Sequence, residues 1–381
     1  MNRKLQAFLD ERKVDALLLI GDSICDPDLY YLSHFLSGDR FALLGKDKVY
    51  LLVSSMERGR ARKESCADQI VSTEDYGIME KLKRWGRPEE AYAEALADFI
   101  RDRGARRLAA PNRTPAGIYR HLSSQFDLEL VESPVSGWRM VKSKEEIEAI
   151  GSVQRAGQSA MGVALRLLSR SQPRGELIYW KDRPLTSEKV RETIDLHLLR
   201  KGCDSNETIV AGGEEAVDPH ARGSGPLPAN APIVVDIFPR SKTTRYFGDI
   251  TRTVVRGEAS QEAQEIYQAV LAAQEAGLGA LRAGVSGRDV HALVCQTLAE
   301  HGFADRKGKG FIHSTGHGVG LSVHERPSLG EAGEILEANM AVTVEPGLYY
   351  PGVGGIRLED LAVVTETGCR NLTDFDKHLV L

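Results

Sequence analysis

Met340-Ala-Val-Thr-Val-Glu345 is a short apolar run that ends on a carboxylate, and fourteen residues after Glu345 comes Glu359-Asp-Leu-Ala-Val-Val364. The same arrangement occurs earlier in the chain. Pro232-Ile-Val-Val-Asp236 ends on an acid, and thirteen residues later Asp249-Ile-Thr-Arg-Thr-Val-Val255 opens on one. Each run has the length and β-branched content of a buried strand. A carboxylate at the end of such a strand is costly unless a cation meets it. Asn230 lies six positions before Asp236, and Asn339 six before Glu345, each preceded by alanine. Acid, return spacing and asparagine agree, so the two stretches read as halves of one internal repeat.

The flanking sequence supports the same division. Ser143-Lys-Glu-Glu146 is a helix cap followed by an acid, and a helical pattern runs from it to about Leu168. A second helix covers Ser187 to Arg200, and strands follow at 208–211, 233–236 and 249–255. The order then restarts, with helices at about 260–282 and 287–301 and strands at 340–345 and 356–364. Residues 143–381 therefore read as a pseudo-twofold α+β domain with the four acids converging at its centre. Residues 1–140 read as a smaller α/β domain. It contains a helix at 2–13, a strand at 15–21, a hairpin across Lys46-Asp47, a helix from Glu89 to Gly104 and a strand from Arg107. No catalytic constellation stands out in it.

Taken singly, the acids have ordinary readings. Asp236 and Asp249 could be turn acids, and Glu345 a strand end before Pro346-Gly347. Glu359 lies in what reads as one buried strand, with Arg357 two residues away on the same face, so an Arg–Glu pair is the plain alternative. Between the acid pairs lies His313-Ser-Thr-Gly-His317-Gly-Val-Gly320. Glycines beside His317 would leave room for a ligand or metal to approach the backbone. The same run lacks the context of a dinucleotide fingerprint, and Ser314 lacks the strand–turn–helix setting of a nucleophile elbow. Together, one imidazole and four carboxylates form a hard, oxygen-rich ligand set. It suits Mn²⁺, Co²⁺, Fe²⁺ or Zn²⁺ at catalytic positions. Two carboxylates can bridge a metal pair roughly 3.5–4 Å apart, whose chemistry is amide hydrolysis.

Composition narrows the rest. With 381 residues, two domains are the natural expectation. A formal charge of −5 and a pI near 6.1 give no sign of a nucleic-acid or anionic-membrane partner. The first residues lack a signal-peptide core, and no stretch approaches a membrane span. Five cysteines without paired spacing fit a reducing cytoplasm.

These residues resemble the pita-bread metallopeptidases, the group containing methionine aminopeptidase, aminopeptidase P, prolidase and creatinase. The motifs are Gly248-Asp-Ile-Thr-Arg-Thr253, His313-Ser-Thr-Gly-His-Gly-Val-Gly320, Val323-His-Glu-Arg-Pro327, Val344-Glu-Pro-Gly-Leu-Tyr349 and Gly355-Ile-Arg-Leu-Glu-Asp360. The first 140 residues resemble the creatinase-type N-terminal domain, joined through Trp138-Arg-Met-Val-Lys-Ser143. The resemblance implies a pita-bread domain over 143–381. Asp236 would bind one of two divalent ions, His317 and Glu345 the other, and Asp249 and Glu359 would bridge both. Manganese is the first expectation. Glu345 would accept the proton of the attacking water. His324 would contact substrate near the scissile bond, with His220, His313 and Arg357 also on the substrate side.

Val323-His324 and the extra domain favour the branch that cleaves Xaa-Pro bonds, as an aminopeptidase or a dipeptidase. A homodimer is implied as well. Family members carry Asp-x-Gly and an eleven-residue step, whereas Asp236 to Asp249 is two residues longer, enlarging loop 237–248. The stretch 172–187 is long for a helix connection and reads as a lid or dimer contact. Two other functions fit the fold: a metal-free creatinase-like hydrolase, or a non-catalytic peptidase-like binding module. Both kinds of relative tend to lose metal ligands, and this chain keeps all five types.

Overall fold

A computed structural model describes residues 2–204, 207–303 and 309–381. The chain divides into two compact units, Met1–Arg139 and Met140–Leu381.

In the first unit a six-stranded mixed sheet runs in the order Gln69–Ser72, Val49–Val53, Phe41–Gly45, Ala16–Gly21, Arg107–Pro111 and Asp127–Val131. The hairpin expected across Lys46-Asp47 is its antiparallel pair Phe41–Gly45 and Val49–Val53. Leu17, Leu18 and Leu19 are all buried, so successive side chains fill both faces of the sheet. That is why this strand reads as a continuous apolar run rather than an alternation.

The second unit opens with the helix Lys144–Ser169. Ser143 caps it, accepting from the Glu146 amide while the Glu146 carboxylate accepts from the Ser143 amide. Ser187–Arg200 follows, then a three-stranded antiparallel sheet of Ile209–Gly212, Pro232–Ile237 and Ile250–Val255. The second half repeats the order. Gln261–Ala280 and Gly287–Glu300 are its helices, and Ala341–Val344 and Asp360–Val364 pair antiparallel within a five-stranded sheet. The asparagines match in detail. Asn230 and Asn339 both take the left-handed conformation, at φ 61° and 71°. Each then donates its amide across the hairpin, to Arg256 O at 3.1 Å and to Val364 O at 2.9 Å. The two-residue match therefore marks the same turn in both halves.

One expectation needs correction. The run 356–364 is not one strand. Gly354–Arg357 pairs with Gly347–Tyr350, Asp360–Val364 pairs with Ala341–Val344, and Leu358-Glu359 lies between them. Segment 172–187, longer than a simple helix connection, has strands of its own. It forms a meander of Gln172–Arg174, Leu177–Trp180 and Arg183–Pro184 before the helix starts at Ser187. The enlarged loop 237–248 is also ordered, with Arg240–Ser241 pairing against Cys203–Asp204.

Candidate active site

The two hairpins and the strand Gly316–Gly318 deliver their polar side chains to one cavity of about 580 Å³. Asp236 and Asp249 come from the first hairpin, and Glu345 and Glu359 from the second. His317 is the centre of Gly316–Gly318, a strand that pairs with both Glu325–Leu329 and Ala341–Val344. His220, His313, His324 and Arg357 line the same cavity, as do Phe238 and Ser314. Every residue singled out from the sequence is thus brought together.

The imidazole is aimed by its own backbone. His317 Nδ1 lies 3.1 Å from Gly318 O, an acceptor, which leaves Nε2 to face the acids. Nε2 lies 3.1 Å from Glu345 Oε1 and 3.8 Å from Asp249 Oδ2. Ligand atoms of Asp249, His317 and Glu359 fall within 4.8 Å of one another. The glycines beside His317 have a different reason than expected. A Cβ on Gly316 would meet Thr343 O at 2.0 Å, and one on Gly318 would meet Arg326 O at 2.3 Å. Neighbouring backbone, not a ligand, takes the space.

Several supporting groups were not singled out from the sequence. Thr251 Oγ1 donates to Glu359 Oε2 at 2.7 Å, and Thr343 Oγ1 donates to Glu345 Oε1 at 3.2 Å. A signal existed, because each threonine is two residues from a strand acid, Asp249 or Glu345, and so shares its face. Gln154, fully buried on the long helix, grips the backbone of Asp249 from both sides. Its Oε1 accepts from the Asp249 amide at 2.7 Å, and its Nε2 donates to Asp249 O at 2.7 Å and to Thr373 at 2.8 Å. Gln274 does part of the same in the second half, donating to Val344 O at 3.1 Å.

Arg357 does not pair with Glu359. Its Nη2 donates to Asp236 Oδ2 at 2.7 Å, and its Nη1 donates to the Tyr349 hydroxyl at 2.8 Å. The break at Leu358-Glu359 is the cause, since period-two facing holds only within a continuous strand. Tyr349 in turn lies 2.9 Å from His313 Nε2, whose Nδ1 is 2.8 Å from Ser314 O. The tautomer that satisfies both contacts carries its proton on Nδ1 and accepts from the tyrosine. A continuous chain, Asp236–Arg357–Tyr349–His313, therefore borders the cavity.

Four carboxylates cannot all ionise in this space. Burial and the facing Glu359, Asp236 and Glu345 charges push Asp249 well above the usual carboxylate range. Burial and the charges of Glu345 and Asp236 do the same to Glu359. Burial also raises Asp236, against the pull of Arg357. Glu345 goes the other way. Burial opposes its ionisation, but the His317 hydrogen bond and charge outweigh that and hold it at about 2. Asp236 Oδ1 is buried with no hydrogen-bond partner. An acidic cluster with an orphaned oxygen lacks positive charge, which a bound cation supplies.

Residues 152–366 match metallopeptidase family M24, and residues 2–141 match the creatinase/prolidase N-terminal domain. The chain belongs to metallopeptidase family M24. It is a peptidase of that class, built from a creatinase-type N-terminal domain and the pita-bread domain, and its chemistry depends on divalent metal. An Xaa-Pro dipeptidase of Pyrococcus horikoshii is 27% identical over 384 residues, covering 99% of this chain and 98% of that one. The structure of an Xaa-Pro dipeptidase from Bacillus anthracis superposes with a TM-score of 0.82 at 27% identity, over 100% of this chain and 99% of the other. An X-Pro aminopeptidase from Thermotoga maritima gives 0.80 at 25% identity, with coverage of 100% and 99%. Among the described residues, no helix of this M24 peptidase is long and apolar enough to cross a membrane.

Proposed function

We propose that this M24 peptidase hydrolyses the bond between an N-terminal residue and proline, using two divalent ions held by Asp236, Asp249, His317, Glu345 and Glu359. Asp236 would hold one ion and His317 with Glu345 the other, Asp249 and Glu359 would be shared between them, and manganese is the metal we expect. The convergence of four buried carboxylates and one imidazole on a single cavity carries this reading. Bound divalent cations supply Lewis acidity toward a carbonyl and lower the pKa of water.

The chain's own residues do the rest. Glu345, ionised and aligned by Thr343 and His317, accepts the proton of the attacking water. His324 stands T-shaped against His317 at a ring separation of 4.2 Å and contacts substrate near the scissile bond. His313 and Arg357 bound the substrate side of the cavity, and exposed His220 contributes from its rim. Arg357 fixes Asp236 and balances its charge, as His317 does for Glu345. Proline suits a dedicated site, because its amide has no N–H for a general peptidase to grip.

The retained ligand set speaks against a metal-free hydrolase or a binding module. The reading includes a homodimer in the cytoplasm. It is supported there by five cysteines outside any disulfide among the described residues. The test is metal analysis of chelated and reconstituted protein, assayed on Xaa-Pro and Xaa-Pro-Xaa peptides. We expect about two ions per chain and restoration by Mn²⁺. Full turnover after chelation, or in Glu345→Ala, would sink the mechanism. The ratio of kcat/KM on the two substrates separates dipeptidase from aminopeptidase, and mass in solution checks the dimer.

A further inference from the structure

The helix Gly287–Glu300 carries His291 and Cys295 one turn apart, hence on the same face. Cys295 Sγ lies 3.7 Å from His291 Nε2, and the cysteine is exposed. On the other side of the ring, His291 Nδ1 lies 2.8 Å from Thr315 Oγ1. Thiol, base and orienting hydroxyl thus stand in the order that activates a nucleophile. Both residues line a second cavity of about 650 Å³, which His313 and Ser314 share with the catalytic cavity. The dyad also touches the catalytic wall. Phe311 packs against both the His291 and His313 rings, at 5.5 and 5.1 Å, and Thr315 O accepts the Glu345 amide at 2.8 Å.

We propose that Cys295 is a histidine-assisted thiol that exchanges with low-molecular-weight disulfides, and that the adduct slows the peptidase. In the tautomer whose Nδ1–H donates to Thr315, Nε2 offers its lone pair to the thiol. The proton of Cys295 passes to Nε2, and Sγ attacks one sulfur of the small disulfide. A new S–S bond forms as the old one breaks, and the departing thiolate takes the proton back from His291. One thiol is released and one mixed disulfide remains, so atoms and electrons balance. Burial lowers the His291 pKa, which keeps the ring neutral and able to act as the base. The adduct occupies the cavity behind His313 and Ser314 and presses on the wall that carries Glu345.

The test treats the metal-loaded, full-length enzyme with oxidised glutathione and follows each cysteine by peptide mass. Cys25 and Cys66, also exposed, are internal references. Cys295 is expected to react about tenfold faster than either, because a base held 3.7 Å from its sulfur takes the proton as Sγ attacks. His291→Gln should remove that advantage without altering the rates at Cys25 and Cys66. Turnover should fall in step with labelling of Cys295 and return with a thiol reductant, whereas Cys295→Ser should keep its turnover throughout. Equal reactivity at Cys25, Cys66 and Cys295, undiminished reactivity in His291→Gln, or full turnover in the labelled enzyme would each overturn the proposal. The labelling arm reads no activity, so it stands or falls apart from the Xaa-Pro assignment.

Discussion

Glu345 and Asp249 share a cavity yet are driven in opposite directions, and this has consequences for the metal-free protein. Asp249 and Glu359 have raised pKa values, so the folded state favours their protonated forms. Their contribution is complete below the ordinary carboxylate value and is lost as pH rises toward the raised values. Glu345, held at about 2, contributes above the ordinary value and loses that contribution as pH falls from there toward 2. The chelated protein should therefore lose thermal stability as pH rises above the ordinary carboxylate range. Asp249→Asn should flatten that slope, and a scan of Tm against pH checks both. Metal loading should release protons, measurable as acidification of a weakly buffered sample. Tyr349→Phe is a second test at this scale. It strips an acceptor from buried Arg357 and a donor from part-buried His313. The expected cost is about 1–3 kcal/mol by denaturant titration.

At the scale of elements, the hairpins hold their acids through the helices behind them. Gln154 acts toward Asp249 as a neighbouring strand would, making one bond to the amide and one to the carbonyl. Gln154→Leu should weaken metal binding by about 10–100-fold, the usual effect of removing an outer-shell partner, while leaving the far-UV spectrum unchanged. Gly248→Ala tests the same contact from the other side. Its Cβ would stand 2.8 Å from Gln154 N and Oε1, so a stability loss of about 1–3 kcal/mol is expected on thermal unfolding.

The acid-bearing strands were legible because strand length, terminal acid and return spacing agree in both halves. The break at Leu358-Glu359 was not, because Ile356, Leu358 and Leu361 are all buried and a sheet change leaves the apolar pattern intact. Gln154 was invisible for a related reason. A single glutamine in a helical pattern reads as polar surface until its distant partner is known. The glycines around His317 were recognised as meaningful but tied to the wrong neighbour, since crowding by Thr343 and Arg326 arises only in the assembled sheet.

For the molecule as a whole, the expected stabilisation follows from linkage. A metal ion at a hundred times its Kd should add about 2.7 kcal/mol to the unit that holds it. Hydrogen exchange should slow in Ile250–Val255 and Asp360–Val364, the strands that follow two of the acids. Unchanged exchange there on metal addition would place the ions elsewhere. Those same strands are also sewn to each other. Arg252, almost wholly buried, donates to Glu359 O at 2.7 Å and to Asp360 Oδ1 at 2.9 Å. Thr251 O accepts the Glu359 amide at 3.1 Å, and Thr253 exchanges bonds with the backbone of Arg357 at 2.9 Å in both directions. The repeat therefore no longer consists of two interchangeable modules. A chimaera that takes Pro232–Val255 from this protein and Ala341–Val364 from a distant relative would join unmatched stitching at the centre. Each half has become the template to which the other must be inherited.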